Sequence, residues 1–378
     1  MKQDKSLNSF LKPITNFFTS IRKMVRLGFS KSYRDSLDEL ELKKQKEDVK
    51  NFFLKNGLYI AMLVFITFVA ISRPTFLSTQ SIINNINLVA KRLPIALGIA
   101  GLIIISATDL SAGRILGITA LVSTALLQRA DYPTKLFPEL GNMSILLVLV
   151  CVIIIGALFG LFNGFFVAKF KIHPFIVTLG TQLIIQTLAL SLLNLNGNSG
   201  QALGGLRPEF TELITGGFYI GGIKIQFYII YAIIITAIIW FIWNKTIFGK
   251  NIFTIGSNAE AAAVSGINVD RVIIVTFILA GVLFGINGFI ESAVVGSNSA
   301  TTGVGAEFDA IAACVIGGIS FSGGIGKVRG VVVGVLLLQL ITTSLIFLGI
   351  SPEWQYAIKG LVIIVTVAID MRKTIARK

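Results

Sequence analysis

From residue 57 onward the chain is a succession of long apolar runs separated by short polar breaks. The runs fall roughly at 57–72, 93–107, 113–128, 145–168, 175–195, 226–243, 272–291, 308–320, 328–348 and 355–370, about ten candidate membrane spans. Backbone N–H and C=O groups in hydrocarbon must be paired within the segment, which leaves helices or a closed barrel. Runs this long and this continuously apolar lack the alternation of barrel strands. The expected fold class is therefore all-α: a polytopic integral membrane protein of about ten transmembrane helices, some of them short or broken.

Two of the breaks carry more than a turn requires. SATDLSAGRILGI (106–118) and GGISFSGGIGKVRG (317–330) set glycines and polar groups inside apolar sequence. Irregular backbone at membrane depth survives only where protein or water covers it, so these are either discontinuous helices beside a pathway or tight interhelical turns at one face. GALFGLFNGF (156–165) and GVLFGINGF (281–289) read as small-residue faces for helix packing.

Residues 1–56 are a different material. They hold 13 Lys or Arg against 7 Asp or Glu and no apolar core, so a cleaved signal peptide is not indicated. Residues 14–30 suit either a helix lying on the membrane surface or a partly ordered tail. The expected organisation is a basic cytoplasmic N-terminal extension (1–56), a membrane domain (57–370) and a basic cytoplasmic tail (371–378). Counting spans from an inside N-terminus puts Lys169, Lys171, the polar loop 244–271, Lys327 and Arg329 in the cytoplasm, with 73–92, 129–144, 196–225 and 292–307 outside. Arg73, Lys91 and Arg92 fit poorly outside.

The loop 244–271 is the most informative polar stretch. Asn258 is a good N-cap, Ala259 through Ser265 favour helix, and Gly266 suits the left-handed position that ends one. A short, capped, Ala-rich helix between two membrane runs answers no bilayer requirement, so it reads as a knob offered to a soluble partner, with Glu260, Ala261 and Ala262 at its centre. Composition agrees with the class: 54% apolar residues, 14% charged and a mean hydropathy of +0.82. The formal charge of +14 lies in a tail and in loops beside apolar runs, which points to lipid headgroups and topology and not to nucleic acid. Cys151 and Cys314 each sit inside an apolar run, as packing residues would.

Charged or strongly polar groups within spans cost about 2.5–3.5 kcal/mol each at a helix centre and so face the interior. Asp109, Asn163, Asn287, Glu291 and Asp309 are the candidates for lining a pathway; Gln339 and Lys359 are further intramembrane polar groups. Enzyme chemistry has little support, since no metal cluster, H-E-x-x-H or G-x-S-x-G is present and no cofactor is implied. Gly323-Gly324-Ile325-Gly326-Lys327 only imitates a phosphate-binding loop, because Phe321 and Val328 occupy the positions that need glycine and a hydroxyl residue.

Five segments resemble the permease subunits of bacterial ABC sugar importers of the ribose, xylose and galactose type. They are TDLSAGRILG (108–117), NGFFVAKFKIHPFIVTLGT (163–181), WNKTIFGKNIFTIGSNAEAAAVSGINV (243–269), FDAIAACVIGGISFSGGIGKVRGVVVGVLL (308–337) and WQYAIKGLVIIVTVAID (354–370). Thr108 before DLSAGR, FPEL at 137–140 and the 243–269 block are most similar to the galactose/methyl-galactoside type. The resemblance implies a subunit of the cytoplasmic (inner) membrane that pairs with a second permease subunit, docks on a cytoplasmic ATPase and receives a sugar from an extracytoplasmic binding protein. It also implies that Asn258, Glu260, Ala261, Ala262 and Gly266 belong to a coupling helix contacting the ATPase. Two other classes would also account for apolar spans: an ion-gradient-driven secondary transporter, and a membrane scaffold for a soluble partner. The first gives no reason for the capped loop helix, and the second, anchoring its partner through residues 1–56, leaves the broken spans unexplained.

Overall fold

The computed structural model describes residues 39–375; the amphipathic reading of 14–30 and the last residues of the tail lie outside them. The chain divides into Met1–Ser72 and Arg73–Lys378. Among the described residues of the first unit, α1 (Glu39–Ser72) continues through residue 57 without a break. The second unit is helical throughout its membrane-length parts, and each later apolar run of the sequence becomes a helix. These are α2 (Thr79–Ile104), α3 (Ala112–Leu126), α4 (Ile145–Phe170), α5 (Pro174–Leu193), α7 (Phe227–Lys245), α10 (Val269–Val295), α11 (Ala306–Ile316), α12 (Val328–Phe347) and α13 (Pro352–Ile375). Short helices α6 (Pro208–Thr215), α8 (Ile247–Ser257) and α9 (Ala259–Val264) lie between them.

Among the described residues, six helices are long and apolar enough to cross a membrane: α2, α4, α5, α7, α10 and α12. The expected ten is not reached by that measure. Helices α3 and α11 have 15 and 11 residues, roughly 22 and 16 Å of rise, short of the roughly 30 Å hydrocarbon layer. They follow the two glycine-bearing breaks or adjoin them, as half-length segments do. Leu146, Ile154, Leu158, Leu183, Ile233 and Phe241 stand exposed on α4, α5 and α7, a surface that only lipid or another apolar partner suits.

Two departures from the sequence reading have clear causes. Residues 79–92, expected as an outer loop, are helical and belong to α2; Gln80 and Asn84 are exposed, whereas Asn85, Lys91 and Arg92 find partners within the protein, Thr343 Oγ1 donating to Asn85 Oδ1 (2.7 Å) and the two cations meeting carboxylates. In the segment 196–225, α6 is followed by an antiparallel hairpin, β1 (Gly217–Ile220) and β2 (Ile223–Gln226). Its two-residue turn is Gly221-Gly222, with φ of +57° and +81°, the left-handed pair that a tight hairpin needs.

The look-alike segments 156–165 and 281–289 pack against each other. A Cβ at Gly156 would fall on the Gly281 carbonyl oxygen, one at Gly281 on the Gly156 oxygen, and one at Gly160 on the Phe277 oxygen. Glycines four residues apart thus let α4 and α10 approach backbone to backbone. Gly288, further along α10, meets Leu116 and Thr119 of α3 in the same way. Helix α10 is the central element, packed on α2, α3 and α4.

The loops sort to two ends. At one, residues 127–136, 200–207 and 296–305 are laced by Arg129 N–H to Gly205 O (2.8 Å) and by reciprocal bonds between Leu203 and Asn298 (2.8 Å each). At the other, Gly324 N–H donates to Ile104 O (2.8 Å) and Ser106 Oγ to Ser322 O (3.2 Å), so the two glycine-bearing breaks meet beside the end of α8, where Gly256 leaves no room for a side chain. Segments that the charge pattern assigns to one face are thereby joined to one another.

Gly281→Leu should destabilise the detergent-solubilised protein by about 1–3 kcal/mol or more, because the α4 backbone cannot yield. Gly180→Ala, with open space around it inside α5, should be neutral to stabilising by up to about 1 kcal/mol. Thermal unfolding midpoints of the two variants test this; equal tolerance at both positions would refute the packing account.

Candidate functional site

Six helices line a cavity of about 220 Å³, and four of them bring its polar side chains. Helix α2 brings Lys91 and Arg92; α10 brings Asn287 and Glu291, which lie four residues apart and so share a face; α11 brings Asp309; α13 brings Tyr356 and Lys359. The charges are paired across helices. Lys91 Nζ lies 3.1 Å from Glu291 Oε1, Arg92 Nη1 2.9 Å from Asp309 Oδ2, and Lys359 Nζ 3.0 Å from Asp309 Oδ1. Asp309 therefore holds two cations at once, joining α2, α11 and α13. Lys359 also lies over the Tyr356 ring at 5.7 Å, within cation–π range.

Local structure explains these positions. Pro94 interrupts the hydrogen-bond ladder of α2, and the next amide, Ile95 N–H, donates to Asn287 Oδ1 (3.0 Å) instead. Gly305, with φ of +81°, turns the chain into α11 and places Asp309 in its first turn, where the helix N-terminus favours a carboxylate. The lining offers acceptors and donors of both signs in a partly screened space, which suits a neutral ligand rich in hydroxyl groups; such a ligand can take a place at an ion pair without leaving a net charge bare.

The structure brings together three of the five predicted lining residues, Asn287, Glu291 and Asp309. Asp109 and Asn163 do not border this cavity. Asp109, 1% exposed, accepts from Ser111 N–H (2.7 Å) and Ser111 Oγ (2.6 Å) through Oδ1, and Asn163 Nδ2 donates to Asp109 Oδ2 (3.3 Å) and Ser111 Oγ (2.9 Å). Thr181 Oγ1 completes the knot by donating to Asn163 Oδ1 (2.6 Å). These residues seal the break between α2 and α3 against α4 and α5. Gln339 is likewise structural, donating to Thr343, which in turn holds Asn85. Lys91 and Arg92 are lining residues that hydropathy does not mark, although two adjacent cations on the wrong side for the charge rule are a sign of counter-charges elsewhere in the fold.

At the other end of α10 stands the predicted knob. Asn258 Oδ1 accepts from Ala261 N–H (2.9 Å), opening α9. Ile267 N–H bonds to Ala262 O (3.1 Å) and Gly266 N–H to Ala263 O (3.0 Å), with Gly266 at φ +81°: a Schellman ending. Glu260 and Ala261 are exposed, whereas Ala262 is fully buried and seats the knob on its own protein. The sequence reading overlooked Val264, which is 91% exposed at the knob's tip. A lone exposed valine is ordinary on a protein surface, so Val264 matters only for its place beside the exposed Glu260 and Ala261. Helix α10 starts immediately beyond, capped by Asn268, whose side chain accepts from Arg271 N–H (2.9 Å). Asp270 in its first turn binds both Lys169 (3.1 Å) and Lys171 (2.6 Å) at the end of α4.

Comparison with known proteins places these features in context. Residues 81–367 match a protein-family model described as the permease component of branched-chain amino acid transport systems. The chain is 41% identical over 333 residues to the galactose/methyl galactoside import permease protein MglC of Escherichia coli (strain K12), covering 88% of this chain and 98% of that protein. It is 31% identical over 326 residues to the ribose import permease protein RbsC of Haemophilus influenzae, covering 85% and 94%. No solved structure matches the chain.

Asp309→Asn leaves Arg92 and Lys359 without their shared counter-charge and should cost about 2 kcal/mol of stability. Exchanging the charges of the other pair, Lys91→Glu with Glu291→Lys, should recover most of what either single change loses. A double-mutant cycle on unfolding midpoints checks both, and additive losses would show that the pairs carry no coupling.

Proposed function

We propose that this chain, which belongs to the permease-component family matched over residues 81–367, is the membrane-spanning subunit of an ATP-driven ABC importer. Its cargo in this reading is a monosaccharide of the galactose or methyl galactoside kind, or a related hexose or pentose. The observation that carries it is the placement of α10. One uninterrupted helix begins beside the capped knob α9 and, roughly 33 Å further on, presents Glu291 to the charged cavity. A rigid rod of this kind is what converts movement of a docked partner at one end into rearrangement of ion pairs at the other.

The parts then take these roles. Asn258 and Gly266 fix the ends of the coupling helix; Glu260, Ala261 and the exposed Val264 enter a groove on a separate ATPase subunit, while Ala262 anchors the knob from within. The Asp270 bonds to Lys169 and Lys171 tie the start of α10 to α4, so that the two glycine-packed helices move together. Closure of the ATPases on ATP would favour one of two permease states, and the shift is limited by the difference in their affinities for it. Lys91–Glu291 and Arg92–Asp309–Lys359 are the pairs that open and re-form around the passing sugar. Asp109 and Asn163 support the pathway by holding the broken segment between α2 and α3.

Basic residues at the knob end, among them Lys169, Lys171, Lys245, Lys250, Arg271, Lys327 and Arg329, support a cytoplasmic placement of that end, and with it of both termini. Ten membrane segments, counting α1, the half-length α3 and α11, and α13, are consistent with this parity. A second permease copy would complete the pathway, and an extracytoplasmic sugar-binding protein would deliver the cargo to the laced end.

Reconstitution tests the whole reading. Proteoliposomes holding this chain, its cognate ATPase and a matched binding protein should take up labelled galactose, with xylose and ribose as alternatives, only when the ATPase retains its phosphate-binding lysine. Uptake without the ATPase would identify an ion-driven carrier instead. Within that system, Glu260→Arg and Val264→Asp should each abolish co-purification of the ATPase and reduce uptake at least about tenfold while leaving membrane insertion intact; tenfold corresponds to about 1.4 kcal/mol of binding. Unchanged co-purification in both variants would remove α9 as the docking element.

A further inference from the structure

A second surface feature has no part in that scheme. A groove of about 520 Å³ lies between α7 and α12, above Leu93 of α2. Its walls are Ile233, Ala237 and Trp240 on one side and Val332 and Val333 on the other, with Arg329 at one end. That end is the knob end, because α7 runs directly into α8 and α9, and α12 starts from the loop that bonds to Ile104. Lys327 and Arg329 are exposed there, and Lys245 Nζ lies 5.9 Å above the Trp240 ring. Among the described residues no carboxylate pairs with Lys245, Lys327 or Arg329. The neighbouring Lys169 and Lys171, by contrast, are both taken by Asp270.

We propose that this groove is a binding site for an anionic phospholipid, with an acyl chain along the valine and tryptophan walls and the phosphate held by Arg329, Lys327 and Lys245. An apolar groove alone cannot select a lipid, since the tail meets much the same surroundings there as among other tails. Selection must come from the head. A guanidinium offers two parallel N–H donors to phosphate oxygens, and two further exposed cations at the same end, unpaired with any carboxylate among the described residues, favour a headgroup with net negative charge over one that carries its own amine. Tryptophan at this depth suits the level where headgroups begin. The molecule contains its own control. Another open apolar groove, of about 550 Å³ between α3, α4 and α5, is lined by Ile118, Leu158, Phe162 and Ile184, and among the described residues no cation lines it. It should accept lipid without preference for charge.

The test uses the full chain in phosphatidylcholine nanodiscs carrying a trace of either phosphatidylglycerol or phosphatidylcholine with a photoactivatable acyl chain. After irradiation and digestion, phosphatidylglycerol should label peptides from 227–245 and 328–347 several-fold more than phosphatidylcholine, while peptides from 145–193 take both equally. Arg329→Gln should lower the excess about fivefold, and adding Lys327→Gln should lower it again, as expected for roughly one unit of headgroup attraction per cation. If Arg329→Gln fails to fold by size exclusion, Lys245→Gln supplies the same comparison. Equal labelling by the two lipids, or an excess unaffected by these variants, would overturn the proposal. Absence of label from the groove with either lipid would also overturn it and would indicate that another copy of the chain covers it.

Discussion

A charge set among lipid-facing helices must find its counter-charge inside the protein, and this requirement organises the functional half of the fold. Lys91 and Arg92 cannot face hydrocarbon, nor can Glu291, Asp309 or Lys359. Pairing them obliges α2, α10, α11 and α13 to converge, and the space they enclose is polar because the charges are there. The side chains keep partial exposure to that space, 14–30%, so the pairs are neither fully buried nor freely solvated. Such pairs hold the helices in one arrangement without being too costly to exchange for another set of partners.

Around that convergence the backbone obeys the companion rule, that every N–H and C=O at membrane depth must be satisfied. Where Pro94 interrupts the hydrogen-bond ladder within α2, Asn287 supplies the acceptor for Ile95. The break before α3 is filled by Asp109, Ser111, Asn163 and Thr181, and the break before α12 bonds across to Ile104. Glycine-mediated contact between α4 and α10 then gives these irregular parts a stiff neighbour. Polar residues in the membrane thus serve two separate ends here. Some close the backbone's accounts, and others face a cavity; hydropathy cannot distinguish them because both are simply polar positions in apolar runs.

The coupling loop shows the opposite case. Its helix was legible because caps are local: Asn258 acts three residues ahead and Gly266 within one turn, so nearby sequence contains the whole argument. The seating of the knob was not legible, since Ala262 is buried while Val264, equally apolar and only two residues on, is left outside, a choice made by how the short helix lies against its neighbours. The hairpin turn at Gly221-Gly222 also has a local cause and could have been read from its paired glycines.

What the sequence by itself determined is therefore whatever depends on composition or on neighbours within a turn or two: the all-α membrane class, the approximate places of the helices, the two broken segments, the caps of α9 and the small-residue faces at 156–165 and 281–289. Tertiary structure alone decided that those faces meet each other, that Asp309 serves both Arg92 and Lys359, and that Asp109 and Asn163 lie in a sealed knot away from the cavity. The physical reason is range. Caps, turns and hydropathy act over a few residues, whereas an ion pair such as Lys91 with Glu291 joins positions 200 residues apart, and nothing in the local pattern specifies which charge will be opposite which.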